Sequence, residues 1–313
     1  MSRKKHLLFV INPIAGGRDK SSLQRIIGRN LDRSLFHYEF AHTESEDHAR
    51  RLSLSAAYLG FDIVAAVGGD GTVNEVARGI MARTGKQIPT GSASGKQGTG
   101  EQEQASLAII PSGSGNGLAR HLGIPLNPSA AIRLINKLRT SRMDVGIMND
   151  SPFFCVAGAG FDAHISHVFA TGPGRGFSGY VQSALREIRN YQPGNYVITT
   201  GDGTILERAF LVSIANASQY GNNAYIAPGA STMDGLLDLC ILRPFPAYRY
   251  PEMALRLMTG KIGGSRFMLR LQGEKFRIVR EDDGPVHLDG EPALMGKQLD
   301  IRVMPSSISV ITP

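Results

Sequence analysis

A glycine-rich turn with one aspartate directly follows a buried apolar run in residues 61–82, FDIVAAVGGDGTVNEVARGIMA. Glycines let the backbone turn with positive φ and leave their amides uncovered by side chains. The helix pattern that follows directs its positive end at the same place, so the turn favours a bound phosphate. Asp70 is useful beside a phosphate if it holds a magnesium ion or orients a hydroxyl. The alternative is a structural turn in which Asp70 only caps backbone amides.

Two more turns of this kind follow other apolar runs. The sequence INPIAGG places Asn12 and Gly16 at the end of the first run, and PSGSGN supplies small residues and hydroxyls at 111–116. Each turn precedes a helix pattern, as the ligand-binding turns of α/β proteins do. Three glycine turns at equivalent strand ends predict one shared phosphate-binding cleft.

Two other patterns suggest chemistry less strongly. Residues 91–96 read G-x-x-x-G-K, which has one residue too few for a P-loop, has Gln97 in place of Ser or Thr, and follows no strand. The surrounding segment, 85–105, is rich in Gly, Ser and Gln and is expected to be a mobile surface loop. His164 and His167 have metal-ligand spacing, but no third ligand is spaced nearby.

The first 140 residues alternate strand and helix patterns. Apolar runs at 7–11, 62–67 and 106–110, with a weaker run at 37–41, are typical of strands buried on both faces of a parallel sheet. Helical spacing of apolar residues separates the runs. These patterns predict an open α/β sheet whose ligands bind at the carboxyl ends of the strands.

Two Thr-x-x-Glu boxes predict where helices begin. They are Thr43 to Glu46 and Thr72 to Glu75, each placed just after a predicted strand. In such a box the threonine and the glutamate each satisfy an amide of the same first turn. We therefore expect these residues to cap their own helices.

The second half of the chain has a different pattern. Short segments such as YVITT, AFLVSIA, LLDLCIL and KFRIVR follow one another, and apolar and polar residues alternate in QLDIRVM. They predict an antiparallel β-sandwich domain, with helices at 176–190 and 246–259. We place the domains at 1–137 and 138–303, with 304–313 as a candidate segment that rejoins the first domain.

Composition limits the partners and the compartment. The chain has 34 Lys and Arg against 27 Asp and Glu, a net charge of +7, which favours acidic partners. No basic block with interleaved aromatics occurs, so nucleic acid is not an expected partner. The apolar run 7–11 is too short for a signal peptide, and no run is long enough to span a membrane. Cys155 and Cys240 lie in apolar runs and are expected to be buried thiols. These features predict a cytoplasmic protein.

A basic and aromatic segment offers a possible membrane contact. Residues 244–261, PFPAYRYPEMALRLMTGK, include the basic residues Arg249, Arg256 and Lys261. They are suited to peripheral contact with an anionic membrane. The alternative is an ordinary amphipathic helix with Met253, Leu257 and Met258 facing the core.

Six motifs in order resemble those of the diacylglycerol kinase catalytic-domain family, which includes soluble bacterial lipid kinases and the sphingosine and ceramide kinases. The motifs are NPIAGG, GGDGTVNE, PSGSGNGLAR, GAGFDA, DGLLDL with Asn216 and Pro228 upstream, and LDGE. They extend from Asn12 to Glu291. The resemblance implies ATP and Mg²⁺ as cofactors and a lipid substrate, most simply diacylglycerol or a sphingoid-type lipid, whose hydroxyl receives the γ-phosphoryl group.

The resemblance also implies the site residues. Those that would bind nucleotide are Asn12, Pro13, Gly16, Thr43, Gly68, Gly69, Asp70, Gly71, Thr72, Asn74 and Ser114. Those that would hold the metal are Asp234, Ser231 and Leu236. The Asp-Gly-Glu triplet contributes Asp289 and Glu291, among which a catalytic carboxylate is expected, and Asp70 competes for that role. From the residues alone, Asp-Gly at 234 and 289 is also a hairpin-turn signal, so a purely structural turn is the alternative.

The chain departs from the family pattern in two places. Ser114 stands where threonine is usual, which preserves a hydroxyl, and 85–105 is an insertion. Two other functions stay open: a soluble-substrate kinase of the NAD kinase type, and a catalytically inactive nucleotide-binding regulator at the membrane surface. An edge strand of the second domain could also pair two copies into a homodimer.

Overall fold

The computed structural model describes residues 3–15, 23–83, 104–172 and 176–313. Nearly all of the predicted 85–105 loop, together with Gly16, lies outside these ranges. The chain divides into two compact units. The first comprises Met1–Met143 and Ser306–Pro313, and the second comprises Asp144–Pro305.

The first unit contains a parallel sheet in the order β2-β1-β3-β4. Its strands are β1 (Lys5–Ile11), β2 (Phe36–His42), β3 (Ile63–Gly68) and β4 (Ser106–Pro111). Every residue of β3 is buried, as the continuous apolar run predicts for a strand covered on both faces. The end of the last strand, β16 (Gln298–Ile311), pairs with β4 in parallel, Val310 opposite Leu107.

The described residues of this unit form the helices α1 (Leu23–Asn30), α2 (His48–Tyr58), α3 (Asp70–Ala82), α4 (Gly117–His121) and α5 (Pro128–Ile135). Helix α5 begins as its sequence dictates, because Asn127 Oδ1 accepts the Ala130 amide at 3.1 Å and proline occupies the first turn.

Both predicted capping boxes are wrong. Helix α2 begins at His48 rather than beside Thr43, and α3 begins at Asp70, so that Thr72 lies inside its first turn. Glu75 instead caps the neighbouring helix, since its carboxylate accepts the amides of Asp47 at 3.2 Å and Ala49 at 2.9 Å. Packing of α3 on α2 thus supplies the cap that the local sequence was expected to supply.

The second unit is an antiparallel β-sandwich. Its strands are the end of β5 (Thr140–Met148), β6 (Ser151–Phe153), β7 (Val156–Gly160), β8 (Gly194–Thr200), β9 (Gly203–Ala209), β10 (Leu211–Ala215), β11 (Leu237–Leu242), β12 (Met268–Gly273), β13 (Lys275–Arg280), β14 (Gly284–Leu288), β15 (Glu291–Met295) and the start of β16. One sheet has the order β12-β11-β10-β7-β14-β15, and in the other β13 lies between β16 and β8, with β9 beyond β8.

The core of the sandwich is apolar and comes from both sheets. It includes Val212 and Leu239 from one sheet and Ile278 and Leu299 from the other. The alternation in QLDIRVM has its expected result, because Leu299 and Ile301 are buried while Asp300 is exposed. The predicted combination of a parallel α/β domain and an antiparallel sandwich is confirmed.

In the described part of the second unit, the sandwich is accompanied by the helices α6 (Phe161–Thr171), α7 (Gly176–Glu187) and α8 (Tyr250–Met258). Helices α7 and α8 fall within the predicted stretches, and a short 3-10 turn, Ala247–Arg249, precedes α8. Helix α6 was not predicted. It begins directly after Gly160, whose φ is 106° and which carries the chain out of a glycine-rich strand.

Helix length and cysteine burial can be compared with what the sequence indicated. In the four described ranges, every helix falls short of the length and apolar content that crossing a bilayer requires. Cys155 and Cys240 are buried free thiols, as predicted. Burial raises the pKa of the Cys240 thiol to about 12, so this thiol is held in its unreactive protonated form.

Candidate functional site

The turns after β1 to β4 lie side by side along one edge of the parallel sheet. The register places Ile11 beside both His42 and Val67, and Gly68 beside Pro111. Backbone hydrogen bonds continue past the strand ends: the amide of Thr43 donates to Ile11 at 2.9 Å, that of Asn12 to Val67 at 3.1 Å, and that of Ser112 to Gly68 at 2.8 Å. The predicted nucleotide-site residues that the structure describes all belong to these turns or to the start of α3.

Asn12 joins the first turn to the beginning of α3. Its Nδ2 donates to Thr72 Oγ1 at 3.1 Å, and its Oδ1 accepts the Ile14 amide at 3.1 Å. A Cβ on Gly68 would collide with the Thr72 side chain. Glycine at 68 is therefore required for the buried Thr72 to reach Asn12. Pro13 is exposed next to this contact, Gly71 lies in the first turn of α3, and Asn74 lies just after that turn.

Asp70 joins the third and fourth turns. Its Oδ2 accepts the Asn116 amide at 2.8 Å, and its Oδ1 accepts the Gly117 amide at 2.7 Å, at the start of α4. This is the geometry of the structural alternative, in which the carboxylate caps amides. A carboxylate has about four lone-pair sites, so two amides do not by themselves exhaust it.

The third and fourth turns approach each other through two glycines. A Cβ on Gly113 would collide with the Cα of Gly69. Asn116, which adopts φ 54°, closes the fourth turn because its Oδ1 accepts the Gly113 amide at 3.1 Å and its Nδ2 donates to the Gly113 carbonyl at 2.8 Å. Ser114 is exposed at the tip of this turn. Among the described residues, no group hydrogen-bonds the buried Oγ of Ser112.

A second set of site residues lies at one end of the antiparallel sheet of the second unit. Ala215 at the end of β10 pairs with Asp238 of β11 and with Val156 of β7, and Ala157 pairs with Leu288 at the end of β14. The turn before β11, the residue after β10 and the turn after β14 are therefore at the same end of the sheet. The turn before β11 carries the predicted metal-site residues. The residue after β10 is Asn216, and the turn after β14 begins the Asp-Gly-Glu triplet.

Asp289 lies in a two-residue turn between β14 and β15. Both turn residues have positive φ, 54° for Asp289 and 86° for Gly290, as a type I′ hairpin requires. The Asp289 carboxylate accepts three amides, from Phe154 at 2.8 Å, Cys155 at 2.7 Å and Val156 at 3.0 Å. The hairpin alternative therefore has the expected geometry here, and at least three of about four lone-pair sites are occupied. Glu291 is the first, partly buried residue of β15.

The predicted metal-site residues share one turn before β11. Asp234 is exposed, and its Oδ1 accepts the Leu236 amide at 3.1 Å. Ser231 Oγ accepts the Met233 amide at 3.2 Å. The turn rests on a buried carboxylate that the sequence pattern had not indicated, because Asp144 Oδ2 accepts the Gly235 amide at 2.7 Å.

Asn216 connects this turn with the hairpin turn. Its Nδ2 donates to the carbonyls of Asp144 and Phe154, each at 2.9 Å. Asp144 holds the turn that carries Asp234, and Phe154 donates its amide to Asp289. Asn216 is fully buried, and no described residue donates to its Oδ1. Asn216 was part of a recognised motif without an assigned role, and the structure supplies that role.

The donor chemistry of this region suits a hard cation. Carboxylate, amide and carbonyl oxygens are the ligands that Mg²⁺ prefers. Within the described ranges, three or more Asp, Glu, His or Cys side chains nowhere cluster as potential metal ligands. A cation at Asp234 would therefore depend on backbone carbonyls and water as well as that carboxylate. His164 Nε2 lies 3.0 Å from the carboxylate of Glu187.

A buried polar cluster lies behind the hairpin turn and was not predicted as a site. Asp162 Oδ2 accepts the hydroxyls of Ser213 at 2.7 Å and Tyr220 at 2.9 Å, and lies 3.1 Å from His287 Nε2. His287 Nδ1 accepts the Gly290 amide at 3.4 Å. The GAGFDA motif is thus tied to the hairpin through Asp162. A Cβ on Gly158 would lie 2.6 Å from the Asp162 carboxylate, which explains the glycine before it.

Burial and the charge of Asp162 raise the pKa values of nearby tyrosines. The pKa of Tyr220 is raised well above its usual value, chiefly by burial and then by Asp162. The same two causes raise the pKa of Tyr180 to about 12 and that of Tyr196 to about 12. These phenols remain hydrogen-bond donors through the physiological pH range.

Comparisons with known proteins match both units. Residues 6–148 match the family described as the diacylglycerol kinase catalytic domain, and residues 155–312 match the YegS C-terminal NAD kinase beta sandwich-like domain. A Chromohalobacter salexigens protein named "Probable lipid kinase YegS-like" is 30% identical over 84% of this chain and 80% of its own length. A protein of the same name from Pseudomonas aeruginosa is 30% identical over 100% of this chain and 96% of its own length.

Solved structures show the same fold. A crystal structure titled as a diacylglycerol kinase from Bacillus anthracis aligns with a TM-score of 0.71 at 21% identity, over 99% of this chain and 97% of that one. Because both units align over nearly their whole length, the combination of a parallel sheet and a sandwich is that of the solved protein.

Proposed function

Since the chain belongs to the diacylglycerol kinase catalytic-domain family and is thereby a phosphotransferase with an alcohol group as acceptor, we propose that it is an ATP-dependent lipid kinase. It moves the γ-phosphoryl group of ATP to the hydroxyl of a lipid, with diacylglycerol or a sphingoid-type lipid as the acceptor. The names of its bacterial relatives support a lipid as the class of acceptor.

One observation carries the proposal: four strand ends present their turns along one edge of the first unit. Phosphoryl transfer depends on positioning and on neutralising charge, and backbone amides supply both without covalent participation. Glycines at 68, 69 and 113 let Thr72 and the two neighbouring turns approach one another closely along this edge. Asn12, Thr72 and Asp70 hold the turns in place through the hydrogen bonds described above.

In the second unit, Glu291 is the proposed proton acceptor for the lipid hydroxyl. Asp289 already accepts three amides, which leaves it fewer lone pairs for a substrate and suits it to holding the hairpin turn. A carboxylate within hydrogen-bond reach of an alcohol typically accelerates its attack by about 10²- to 10⁴-fold. Glu291 follows this turn directly, so the hairpin fixes the backbone that presents it.

Mg²⁺ is the proposed metal, with Asp234 and the carbonyls of Ser231 and Leu236 as its protein ligands. When bound, a magnesium ion neutralises phosphate charge. The role of this chain is to fix the turn: Asp144 accepts the Gly235 amide and Asn216 holds Asp144.

The proposed setting is the cytoplasm, with peripheral membrane contact, and a homodimer is compatible with an edge strand of the sandwich.

Incubation with radiolabelled ATP, Mg²⁺ and a total lipid extract tests the function. We expect label in a lipid separated by chromatography, reduced about 10²- to 10⁴-fold by Glu291→Gln. Glu281→Gln is a matched control, because Glu281 is exposed and bonds only the exposed Asn195 among the described residues. Absence of labelled lipid, with ATP binding intact, would instead support the nucleotide-binding regulator. Label in NAD would support a soluble-substrate kinase.

A further inference from the structure

Helix α8 carries an apolar stripe on its solvent-exposed face. The α8 stripe consists of Pro251, Ala254, Leu255 and Met258 of the helix, together with Tyr248 in the 3-10 turn just before it, all exposed. The spacing of the four helical residues places them on one side of α8. The exposed fractions of the three large side chains are 76% for Tyr248, 64% for Leu255 and 41% for Met258. The alternative of an ordinary amphipathic helix had Met258 facing the core, and the structure leaves this side chain exposed.

The opposite face of α8 already packs on other residues of the second unit. Met253 is buried and accepts the Ser265 hydroxyl at 3.5 Å through its sulfur. Tyr250 packs against Phe245 with ring centroids 5.3 Å apart, and Phe245 packs against Phe267 at 5.8 Å. The helix is therefore anchored without the stripe, which leaves an apolar surface beyond what folding requires.

Basic residues flank the stripe in the sequence. Residues 244–267 contain four basic residues, Arg249, Arg256, Lys261 and Arg266, and one acidic residue, Glu252. Glu252 bonds Arg249 at 2.7 Å and Arg256 at 2.9 Å. Within the described chain, Lys261 and Arg266 form no ion pair, and Arg266 lies 4.8 Å from the Phe267 ring centroid. The segment thus has an excess of positive charge next to exposed apolar side chains.

From this charge complementarity we infer that the α8 stripe docks on a membrane surface that bears anionic lipid. A short amphipathic helix with basic flanks lies in the headgroup region with its apolar face toward the acyl chains. Tyrosine and long basic side chains suit that boundary, because each has an apolar body and a polar end. A second copy of the chain is a poor fit, since one short helix offers far less than the roughly 800 Å² that each partner of a stable interface buries.

The inference rests on the proposed function for its biological purpose, because a lipid acceptor must be drawn from a membrane. Its physical test needs neither ATP nor turnover. Co-sedimentation with vesicles of phosphatidylcholine alone, or of phosphatidylcholine with phosphatidylglycerol, measures docking directly. We expect the full chain to sediment with the anionic vesicles, and raised salt to weaken the binding.

Leu255→Glu/Met258→Glu is expected to lower binding to the anionic vesicles about tenfold or more. Leu206→Glu is the control, since Leu206 is 73% exposed on β9 of the same unit. Lys261→Glu/Arg266→Glu should weaken binding and remove most of its salt dependence. We call Leu255→Glu/Met258→Glu, with its two single substitutions, the α8 variants. Vesicle binding by the α8 variants equal to that of wild type would overturn the inference. So would a loss of self-association by these variants in place of a loss of vesicle binding.

A paired kinase assay separates the two proposals. The α8 variants should keep activity on a short-chain diacylglycerol dispersed in detergent and lose it on the same lipid class in anionic vesicles. If the wild type binds vesicles and phosphorylates no lipid in either form, the proposed function fails and docking stands. If it phosphorylates both forms and the α8 variants do so equally, docking fails and the function stands.

Discussion

Asp70 and Gly117 lie 47 positions apart, and a hydrogen bond of 2.7 Å from the Gly117 amide to Asp70 Oδ1 joins them. With the second bond, from the Asn116 amide, it couples the turn after β3 to the turn after β4. The two turns are expected to bind phosphate as one surface, so their relative position matters to nucleotide affinity.

Asp70→Asn tests this coupling. The amide group would place an N–H opposite one of the two amide donors, so we expect a loss of about 1–3 kcal/mol of unfolding free energy and a higher KM for ATP. Denaturant titration and initial-rate kinetics measure both. A variant with wild-type stability and wild-type KM, but with much lower kcat, would show that Asp70 acts in the chemical step instead.

Asn216→Ala tests the link between the two functional turns of the sandwich. It leaves the carbonyls of Asp144 and Phe154 without their donor, at a cost of about 1–3 kcal/mol for each buried group. We expect lower stability and a raised Mg²⁺ requirement. Asn195→Ala, at an exposed position, should change neither. A destabilised variant with an unchanged Mg²⁺ requirement would contradict the proposed positioning role.

Asp234→Asn tests the metal turn. Because Asp234 is exposed and asparagine can still accept the Leu236 amide, stability should stay near wild type. The lost charge should raise the Mg²⁺ concentration for half-maximal activity by about tenfold. Asp202→Asn is the matched control, an exposed aspartate in another Asp-Gly turn. Equal Mg²⁺ titrations for both variants would remove Asp234 from the metal site.

The parallel strands and the common edge of their turns followed from sequence, while the hydrogen-bond network of the sandwich did not. Apolar runs mark buried strands locally, and the carboxyl ends of neighbouring parallel strands must meet. Asp144 and His287 could not be assigned this way, because their partners Gly235 and Asp162 lie 91 and 125 positions away. No local spacing reports such contacts.

The two capping boxes failed for a related reason. A Thr-x-x-Glu pattern describes one helix, whereas Glu75 caps α2 from α3. Tertiary packing decided which amides its carboxylate meets. Strand β7 was not predicted because Gly158 and Gly160 lower the local strand propensity. Both glycines are nevertheless required by close packing, of Gly158 on Asp162 and of Gly160 on Leu211.

Alkaline titration tests the buried tyrosines. Burial raises the pKa of Tyr180 and of Tyr196 to about 12 in the folded chain, against about 10 when unfolded. Above pH 10 the unfolded chain loses these protons first, so stability is complete below pH 10 and falls as pH rises toward 12. We expect a loss on the order of 2–3 kcal/mol per tyrosine. Ultraviolet absorbance of the phenolate measures the pKa values, and the melting temperature follows stability. Titration of these tyrosines near pH 10 in the folded protein would contradict the prediction.

The central claim is tested most directly by measuring ADP and phosphorylated lipid together, with purified ATP, Mg²⁺ and either diacylglycerol or a sphingoid base. The account predicts that one of these lipids strongly raises ADP formation and that mass spectrometry finds an equal amount of its phosphate monoester. ADP formation indifferent to every lipid, with no lipid phosphate detected while ATP still binds, would contradict it.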